Sequence, residues 1–491
     1  MTSRWARITT VAALRAAVSI AVLCAGFRAL SDDDYARTVI AQGFAFDPRL
    51  DPSQTSWLPL PFWLTGAVMT LFGPSVTVAR VTSVVLGFAA ALVPLWAGAW
   101  LGLSLIGRWL GALLAILPWH SAVLGAAMVP EYPTAALLLL AIASTVRPEL
   151  RIQVIGALSA CLATLCRYEA WPIAVVVAAF GAIRLIGKQR SWRGWAVPVL
   201  ACTGMLAWLA HGLVAHQDAL FFVRRVQAYR AALGPIQVDL LGALGRHLRG
   251  CVLGEPELTA LVLVATAGAA VSGPRPFANL SRAIGHFAVA AAVLLIALSV
   301  GDLGGGSPTH HVDRSLTVIW MAMALLTGEL LSRTWHPVGG RLHRLVARVA
   351  LVVCSALLVG TTALWLRPEI VPVESTAQRR GEVAIGRLSA TLVPEDQRLA
   401  ILTPDYGYLA VQAGFARPER SVPLLSHDPR SRSRRNPTAS PAALGHALSE
   451  VGATWLVVPA SLRSLAETIG KVRAKVPGWL LVARFGHPTP K

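Results

Sequence analysis

Residues 57–72 read WLPLPFWLTGAVMTLF, and this stretch decides how the chain is threaded through a membrane. It is apolar, but Pro59, Pro61 and Gly66 interrupt it. If it spans the bilayer, every later segment changes sides. If it lies in the interface as an amphipathic or re-entrant helix, it adds no crossing. The basic residues elsewhere in the chain distinguish the two arrangements.

The composition around this stretch is typical of a protein with many spanning helices. Of its 491 residues, 55% are hydrophobic and 14% are charged, whereas soluble domains carry about 25% charged residues. The chain contains many apolar runs whose lengths approach the roughly 20 residues needed to cross a bilayer. In the bilayer interior, such a run pairs its own backbone groups only as a helix. We expect about eleven spans, the first of them uncleaved, near Val11–Leu30, Val78–Leu101, Trp109–Met128, Thr134–Ala143, Ile152–Cys166, Pro172–Ile186, Trp195–Val214, Leu258–Val271, Ala283–Val300, Leu316–Leu331 and Ala347–Leu366.

The basic clusters at residues 184–193 and 333–348 favour an interfacial position for residues 57–72. Basic residues of short loops accumulate in the cytoplasm, and both clusters would face outward if residues 57–72 spanned. The sequence therefore predicts an all-α polytopic membrane domain over residues 1–366, with its N-terminus in the cytoplasm. Its outer loops would be residues 31–77, 215–257 and 301–314.

Residues 367–491 read as a soluble α/β domain on the outer side of the membrane. Short apolar runs predict buried strands at Leu399–Leu402, Trp455–Val458 and Leu480–Val482. Helical patterns cover Tyr408–Ala413, Ala442–Val451 and Ala466–Val476. The basic stretch at residues 429–437 is expected to be a loop.

The net charge of +19 does not indicate nucleic-acid binding. The arginines lie in short clusters between apolar runs, as topology signals do, so we expect no nucleic-acid partner. The six cysteines form no CxxC pair and no metal-ligand spacing.

The acidic sequence Asp32-Asp33-Asp34-Tyr35 follows the first predicted span directly. Adjacent carboxylates raise one another's pKa unless a cation compensates. Such a cluster can accept a proton from a hydroxyl or hold a divalent metal. It also fits a solvated helix start, because Asp is favourable in a first helical turn.

Glu131 follows Pro130 at the predicted outer end of a span, and His120 comes two to three turns earlier. A carboxylate at this depth in the membrane costs free energy unless it has a partner, so Glu131 indicates either a functional residue or a helix cap. Arg167 and Glu169 occupy an outer turn, against the positive-inside trend. They could pair with each other, or Arg167 could bind a phosphate.

The glycine-rich stretch 301–307 leads to His310-His311-Val312-Asp313-Arg314 at the start of another span. Adjacent histidines point apart on a helix, so a metal site at His311 has weak support. Arg314 as a ligand of phosphate or pyrophosphate is the sharper hypothesis.

In their order, these motifs resemble the membrane glycosyltransferases of the GT-C class, in particular proteins similar to protein O-mannosyltransferases and the lipid A aminoarabinose transferase. The resemblance rests on Asp32, Asp33 and Tyr35, then on the motifs that follow along the chain. These are WLPLPFWL at 57–64, LFGP at 71–74, ARVTS at 79–83, PWH at 118–120, PE at 130–131 and RYEAW at 167–171.

The resemblance implies a bacterial-type cytoplasmic (inner) membrane protein that uses a polyprenyl-phosphate-linked sugar. The acceptor would be a lipid, glycan or protein on the extracytoplasmic face, with inversion at the sugar. Asp32 or Asp33 would be the general base and Glu131 a second active-site acid. Substrate contacts would come from the remaining candidates, namely Asp34, Tyr35, His120, Arg167, Glu169, His311 and Arg314. No cofactor is required, but the third aspartate departs from the family pattern and leaves a divalent metal, Mg or Mn, open.

Two other classes of function fit a polytopic chain. A transporter or lipid flippase also uses many spans and intramembrane charges, but it usually shows repeated halves and helices broken at mid-membrane. Here the charges gather at one face and no repeat is visible. A catalytically inactive scaffold that presents the C-terminal domain is the third hypothesis.

Overall fold

A computed structural model describes most of the chain. It covers residues 4–186, 192–234, 239–271, 280–303, 309–335, 378–425 and 437–485, with the isolated residues 345 and 349. Apart from residue 349, the predicted span Ala347–Leu366 lies outside the described residues, as do residues 341, 344 and 348 of the basic cluster and most of the predicted loop 429–437. The statements below concern the described part.

The described residues before residue 336 form fifteen α-helices. They are α1 Arg4–Cys24, α2 Asp32–Phe46, α3 Leu60–Phe72, α4 Val76–Trp100, α5 Leu105–Leu114, α6 Trp119–Leu124, α7 Glu131–Ser144, α8 Leu150–Thr164, α9 Ala170–Ile186, α10 Ala196–His216, α11 Phe221–Leu233, α12 Leu240–Leu253, α13 Pro256–Val271, α14 Ser281–Leu303 and α15 Thr317–Trp335. Short 3-10 helices at Trp192–Trp195 and Thr309–Leu316 lead into α10 and α15.

Several of these helices are long and apolar enough to cross a bilayer, so the chain is a membrane protein. Five described segments qualify, namely Trp5–Cys24, Val76–Trp100, Trp192–His216, Ser281–Leu303 and Asp313–Arg333. A sixth would be the pair Leu240–Leu253 and Pro256–Ala270, which is bent by 77°. The expected count of about eleven is therefore not confirmed.

Most of the shortfall comes from single apolar helices that are shorter than a full span, namely α7, α8 and α9 with 14, 15 and 17 residues. One further expected span is divided into short helices. The expected span Trp109–Met128 is not one helix, because α5 ends at Leu114 and α6 begins only at Trp119. Pro118 directly precedes α6, and a proline cannot continue a helix because it lacks an N–H and its ring clashes with the preceding turn. The helix within the opening stretch, α3, has 13 residues and is about 20 Å long.

The membrane helices approach closely where glycines face one another. A Cβ on Gly328 of α15 would collide with the backbone of Gly111 on α5. Small residues at such crossings let the two backbones come together, and this is a common basis of helix association in lipid. The α5–α15 contact thereby fixes the position of α15, which begins at the candidate site.

The described residues of the C-terminal part form a five-stranded mixed sheet between two pairs of helices. Its strands are β1 Leu399–Ile401, β2 Ser421–Pro423, β3 Trp455–Pro459, β4 Gly470–Val476 and β5 Trp479–Arg484, in the order β2-β1-β3-β5-β4. Strand β1 is parallel to β2 and β3, and β5 is antiparallel to β3 and β4. Helices α16 (Arg380–Leu392) and α17 (Tyr408–Phe415) cover one face, and α18 (Pro441–Glu450) and α19 (Arg463–Ile469) cover the other.

The predicted helix Ala466–Val476 is wrong over its second half. Helix α19 ends at Ile469, and residues 470–476 form the edge strand β4. In this strand Lys471, Arg473 and Lys475 are exposed, and the residues between them are half-buried. That alternation has the period of a strand, and lysines on an edge strand discourage pairing with another chain.

The sheet domain packs on α2, the helix that carries the acidic cluster. Tyr35, Ala41, Ala410 and Ala413 share a buried apolar cluster. The side-chain amide of Gln42 donates to the carbonyl of Ala413 at 2.9 Å. Because α2 directly follows the first span, this contact brings the C-terminal domain against the membrane domain.

Candidate active site

The three adjacent aspartates of α2 have three different environments. Asp34 is fully buried, and its carboxylate accepts from the backbone N–H of Leu30 at 3.1 Å, of Ser31 at 3.4 Å and of Met128 at 2.7 Å. A carboxylate at this position satisfies N–H groups that the helix itself leaves unpaired. Asp34 therefore caps α2, which differs from the substrate contact expected from the sequence.

Asp32 faces the segment that leads into the sheet domain. Its two oxygens accept from Nε and Nη2 of Arg379, both at 3.0 Å. Arg379 also pairs with Asp405 at 2.9 Å and with Glu382 at 3.3 Å. Tyr35 points the same way, and its hydroxyl donates to the carbonyl of Gln378 at 3.0 Å. Asp32 and Tyr35 thus contact the C-terminal domain.

Asp33 is the aspartate that faces the other charged candidates. Its side chain is 42% exposed and lies 3.6 Å from Nη1 of Arg314. The same Nη1 is 3.9 Å from Oε1 of Glu131, and Nη2 of Arg314 donates to the hydroxyl of Ser31 at 3.1 Å. Arg314 is only 6% exposed. One buried guanidinium therefore lies between an accessible carboxylate and a buried one.

Arg167 uses both edges of its guanidinium on carboxylates. Nη1 donates to Glu131 at 2.5 Å, and Nε donates to Glu169 at 2.9 Å. Burial opposes ionisation of Glu169, but Arg167 and the hydroxyl of Ser315 lower the pKa of that carboxyl below its usual value. Arg167 therefore pairs with Glu169, as one of the two sequence hypotheses held, and it also holds Glu131.

Arg37 belongs to the same cluster, although the sequence reasoning did not single it out. It lies four residues after Asp33 and hence on the same face of α2. Burial lowers the pKa of its guanidinium, and the nearby Glu131 and Asp33 oppose that shift. Its Cζ lies over two aromatic rings, 4.5 Å from the ring centroid of Trp57 and 5.7 Å from that of Phe62. Its Nε and Nη1 are buried without a hydrogen-bond partner in the described part of the chain.

His120 belongs to a different set of contacts. Its Nδ1 lies 2.9 Å from Oε1 of the buried Glu255, and its ring is 4.8 Å from that of Trp320. Glu255 also accepts from the backbone N–H groups of Trp119 and His120. The side chain of His311 lies outside the described residues. Of the sequence candidates, the structure therefore brings together Asp33, Glu131, Arg167, Glu169 and Arg314.

An apolar cavity of about 220 Å³ lies along α15. Side chains of α7, α9, α14 and α15 line it, among them Ile142, Ile173, Leu294 and Val318. Val318 comes one helical turn after Arg314, so the cavity continues along the helix that begins at the charged cluster. Its lining is almost wholly apolar.

Candidate metal ligands within the acidic cluster already have other partners. Asp32 is bound by Arg379, Asp34 by backbone N–H groups, and Asp33 faces Arg314. A divalent ion there would compete with two guanidiniums for the same oxygens. Among the described residues, one group of three side chains has metal-binding spacing, and it lies elsewhere, at Asp51, His211 and His216.

Known structures share this fold, although no protein-family model and no curated protein sequence matches the chain. The chain is similar to ArnT from Cupriavidus metallidurans, solved bound to undecaprenyl phosphate, with a TM-score of 0.64, 14% identity and 99% of each chain covered. The Archaeoglobus fulgidus oligosaccharyltransferase in its apo form gives a TM-score of 0.56 and 13% identity over 98% of this chain and 75% of that one.

A third similar structure is AglB from Archaeoglobus fulgidus in complex with an inhibitory peptide and a dolichol-phosphate. Its TM-score is 0.52 at 12% identity, over 99% of this chain and 75% of that one. ArnT, a lipid A aminoarabinose transferase, and AglB, an oligosaccharyltransferase, are both GT-C glycosyltransferases. The expected resemblance is thereby confirmed at the level of the fold.

Proposed function

We propose that the protein is a glycosyltransferase that moves a sugar from a polyprenyl-phosphate donor to a hydroxyl or amine of an acceptor lipid, glycan or protein, on the extracytoplasmic face of the membrane. The observation that carries the proposal is the meeting of Asp33, Glu131, Arg37 and Arg314 at one end of α15, the helix that also lines the apolar cavity. The similar fold of ArnT, solved with undecaprenyl phosphate, supports the same class of donor.

The arginines suit the phosphate of such a donor. Arg37 has two buried nitrogens, Nε and Nη1, without a hydrogen-bond partner among the described residues, and Arg314 makes only long contacts with its two carboxylates, at 3.6 and 3.9 Å. A guanidinium can offer two parallel N–H donors to two phosphate oxygens. The cavity along α15 would accept the first isoprene units of the lipid.

The two carboxylates have different roles in the transfer reaction. Asp33, the exposed one, accepts the proton of the acceptor as its oxygen or nitrogen attacks the anomeric carbon. The bond from that carbon to the phosphate oxygen breaks, the configuration inverts, and the polyprenyl phosphate leaves with its charge stabilised by Arg37 and Arg314. Arg167 fixes Glu131, which orients the acceptor. Phosphate is a good leaving group, so the step requires little acid assistance.

One feature favours a lipid flippase as the second candidate. Helices α12 and α13 are bent by 77° at a break between Leu253 and Pro256, and transporters often bind their substrates at broken helices. Glu255 in this break already accepts two backbone N–H groups and contacts His120. The break is thus stabilised by its contacts with the start of α6, which favours the transferase.

Mass spectrometry of cell-envelope glycans and lipids tests the proposal. Cells that lack the protein should lose a species one sugar residue heavier than its precursor, and the wild-type gene should restore it. The Asp33→Asn variant should not restore it, although the membrane should contain the protein in normal amounts. Restoration by Asp33→Asn, or an unchanged envelope without the protein, would exclude this transferase mechanism. A flippase would instead require no proton acceptor at Asp33.

A further inference from the structure

A second polar cluster lies at the end of α10, outside the proposed transferase site. Oδ2 of Asp51 is 4.0 Å from Nε2 of His211 and 3.9 Å from Nε2 of His216. The three ligand atoms all lie within 4.8 Å of one another. At these distances neither imidazole makes a hydrogen bond with Asp51, so pairing within the cluster does not account for the arrangement.

Each of the three side chains is held in place by contacts outside the cluster. Oδ1 of Asp51 accepts from the hydroxyl of Ser53 and from the backbone N–H of Gln54, both at 3.0 Å, so that Oδ2 is left to face the histidines. The ring of His211 stacks on Trp208 with centroids 4.8 Å apart, and that of His216 stacks on Phe221 at 4.1 Å. Partners that orient ligands in this way are a regular feature of metal sites.

The histidine closest to the interior has a polar atom that the protein does not satisfy. Nε2 of His211 is buried and has no hydrogen-bond partner among the described residues. Buried polar atoms are nearly always paired, so an unpaired one has room for a partner such as a water or an ion. The side chain of His216 is 33% exposed, which leaves a path by which an ion could enter.

We propose that Asp51, His211 and His216 bind a zinc ion through Oδ2 and the two Nε2 atoms, with a fourth position open to water. Two imidazoles and one carboxylate suit zinc, whereas magnesium and calcium prefer oxygen ligands. A tetrahedral zinc holds its N and O donors about 3.4 Å apart. The observed 3.9 and 4.0 Å would therefore shorten by about half an ångström on binding.

The ion would link two parts of the chain that are far apart in sequence. Asp51 lies in the loop between α2 and α3, six residues before Trp57, which stacks over Arg37. His211 and His216 end α10, beside the aromatic cluster of Trp208, Phe221 and Phe222. Zinc would thus pin the loop that carries Trp57 to a membrane helix, which is a structural role separate from the proposed transfer reaction.

Metal content is the direct test. The full-length protein, purified in detergent with a tag free of histidine, is stripped with a chelator, loaded with zinc and desalted. Elemental mass spectrometry should then find about one zinc per chain, as for a structural site. Cobalt(II) in place of zinc should give the visible absorption of a tetrahedral ion, a measurement that requires no variant.

Variants identify the ligands. His211→Ala and Asp51→Asn should each weaken zinc binding by about a hundredfold or more, because loss of an outer contact alone costs about 10- to 100-fold. Ser53→Ala, which removes such an outer contact, should lie within that range. His446→Ala is the matched control, since His446 also faces a carboxylate, Glu450 at 3.1 Å, but on the exposed surface of α18.

A wild-type protein that retains no zinc would overturn the proposal, and so would His211 and Asp51 variants that bind zinc as the His446 variant does. Gel filtration of each variant in detergent separates loss of binding from loss of fold. Zinc should also raise the unfolding temperature of the wild type and leave that of His211→Ala unchanged. These readouts do not depend on transfer activity, so failure here leaves the proposed function untouched.

Discussion

The two ends of α15 lie beside buried glutamates that differ in how completely they are paired. Near its C-terminal end, Glu329 accepts from the backbone N–H and the hydroxyl of Ser104 at 2.8 and 2.7 Å, and from Nε of Arg333 at 2.7 Å. Near its start, Glu131 has Arg167 on Oε1, while Oε2 is buried without a hydrogen-bond partner in the described part of the chain. Thr317, the first residue of α15, and Glu329 are about 18 Å apart along the helix.

This difference separates a structural charge from one available to a ligand. A buried carboxylate whose oxygens are all paired is accounted for by folding alone. Folding alone does not account for an unsatisfied carboxylate oxygen that lies near a partly exposed carboxylate and two incompletely bonded arginines. The comparison predicts that substitutions around Glu131 change activity and that substitutions around Glu329 change stability.

The largest effect is expected for Asp33→Asn. General-base catalysis contributes about 10²- to 10⁴-fold, so turnover should fall by about a hundredfold or more. The folded protein should be as stable as the wild type, because Asp33 is partly exposed and an amide has nearly the same volume. Release of polyprenyl phosphate from the donor in detergent measures the turnover. Asp218→Asn, in the turn before α11 and paired with Arg224 away from the proposed site, serves as the control, and an Asp33 variant as active as this control would remove Asp33 as the base.

Arg37→Lys and Arg314→Lys should have the next largest effect. Lysine keeps the charge but loses the paired N–H groups. Since a hydrogen bond to a charged group contributes about 1.5–3 kcal/mol, each change should lower kcat/KM by about 10- to 100-fold. Alanine should be worse than lysine at both positions. Arg333→Lys is the matched control, because that arginine pairs with the fully bonded Glu329. Equal effects at all three positions would contradict the proposed phosphate contacts.

Glu329→Gln should show the opposite pattern. Loss of the charge weakens the contacts to Ser104 and Arg333, and the protein should lose about 1–3 kcal/mol of stability. Turnover at a temperature where both proteins are folded should change little. Thermal unfolding in detergent and the transfer assay provide the two measurements. A variant that unfolds normally but fails to transfer would mean that complete pairing does not distinguish structural from functional carboxylates here.

The parts of the fold that could be predicted from the sequence are those that a run of apolar residues marks directly. The apolar runs predicted α4, α10 and α14 as membrane helices, and the strands around residues 399, 455 and 480 were predicted from short apolar stretches. Helix breaks were harder, because Pro118 divides a run that looks continuous in composition. Strand β4 was missed because its alternation begins directly after a helical pattern, at Gly470.

The candidate site could be predicted only where residues carried a signal of their own. Arg167 and Arg314 stand out as basic residues at the predicted outer face, and Arg37 satisfies the same criterion one helical turn after Asp33. That spacing could have revealed it. Asp51 and His211 are 160 positions apart in the sequence, so no spacing rule connects them. On a regular helix, His211 and His216 would also point about 140° apart.

The smallest effect on turnover and stability is expected for Arg379→Lys. This change tests the comparison of fully and incompletely paired carboxylates on the adjacent residues Asp32 and Asp33. Asp32, bound through both oxygens by Arg379, resembles Glu329, whereas its neighbour Asp33 resembles Glu131. Lysine cannot bond both oxygens of Asp32 in parallel and also reach Asp405. Contact between α2 and the sheet domain should loosen by about 1 kcal/mol, and turnover should fall far less than in Asp33→Asn.

Hydrogen exchange distinguishes the two outcomes of this change. If Asp32 is a structural carboxylate, the amides of α2 and α17 should exchange faster in Arg379→Lys, because these helices pack on each other. Exchange in α15 should stay as in the wild type. Arg463→Lys is the matched control, because Arg463 pairs with Glu467 on the exposed side of α19, away from α2. Turnover reduced as strongly as in Asp33→Asn, with exchange unchanged, would instead assign the proton-accepting role to Asp32, held by Arg379 until a substrate displaces it.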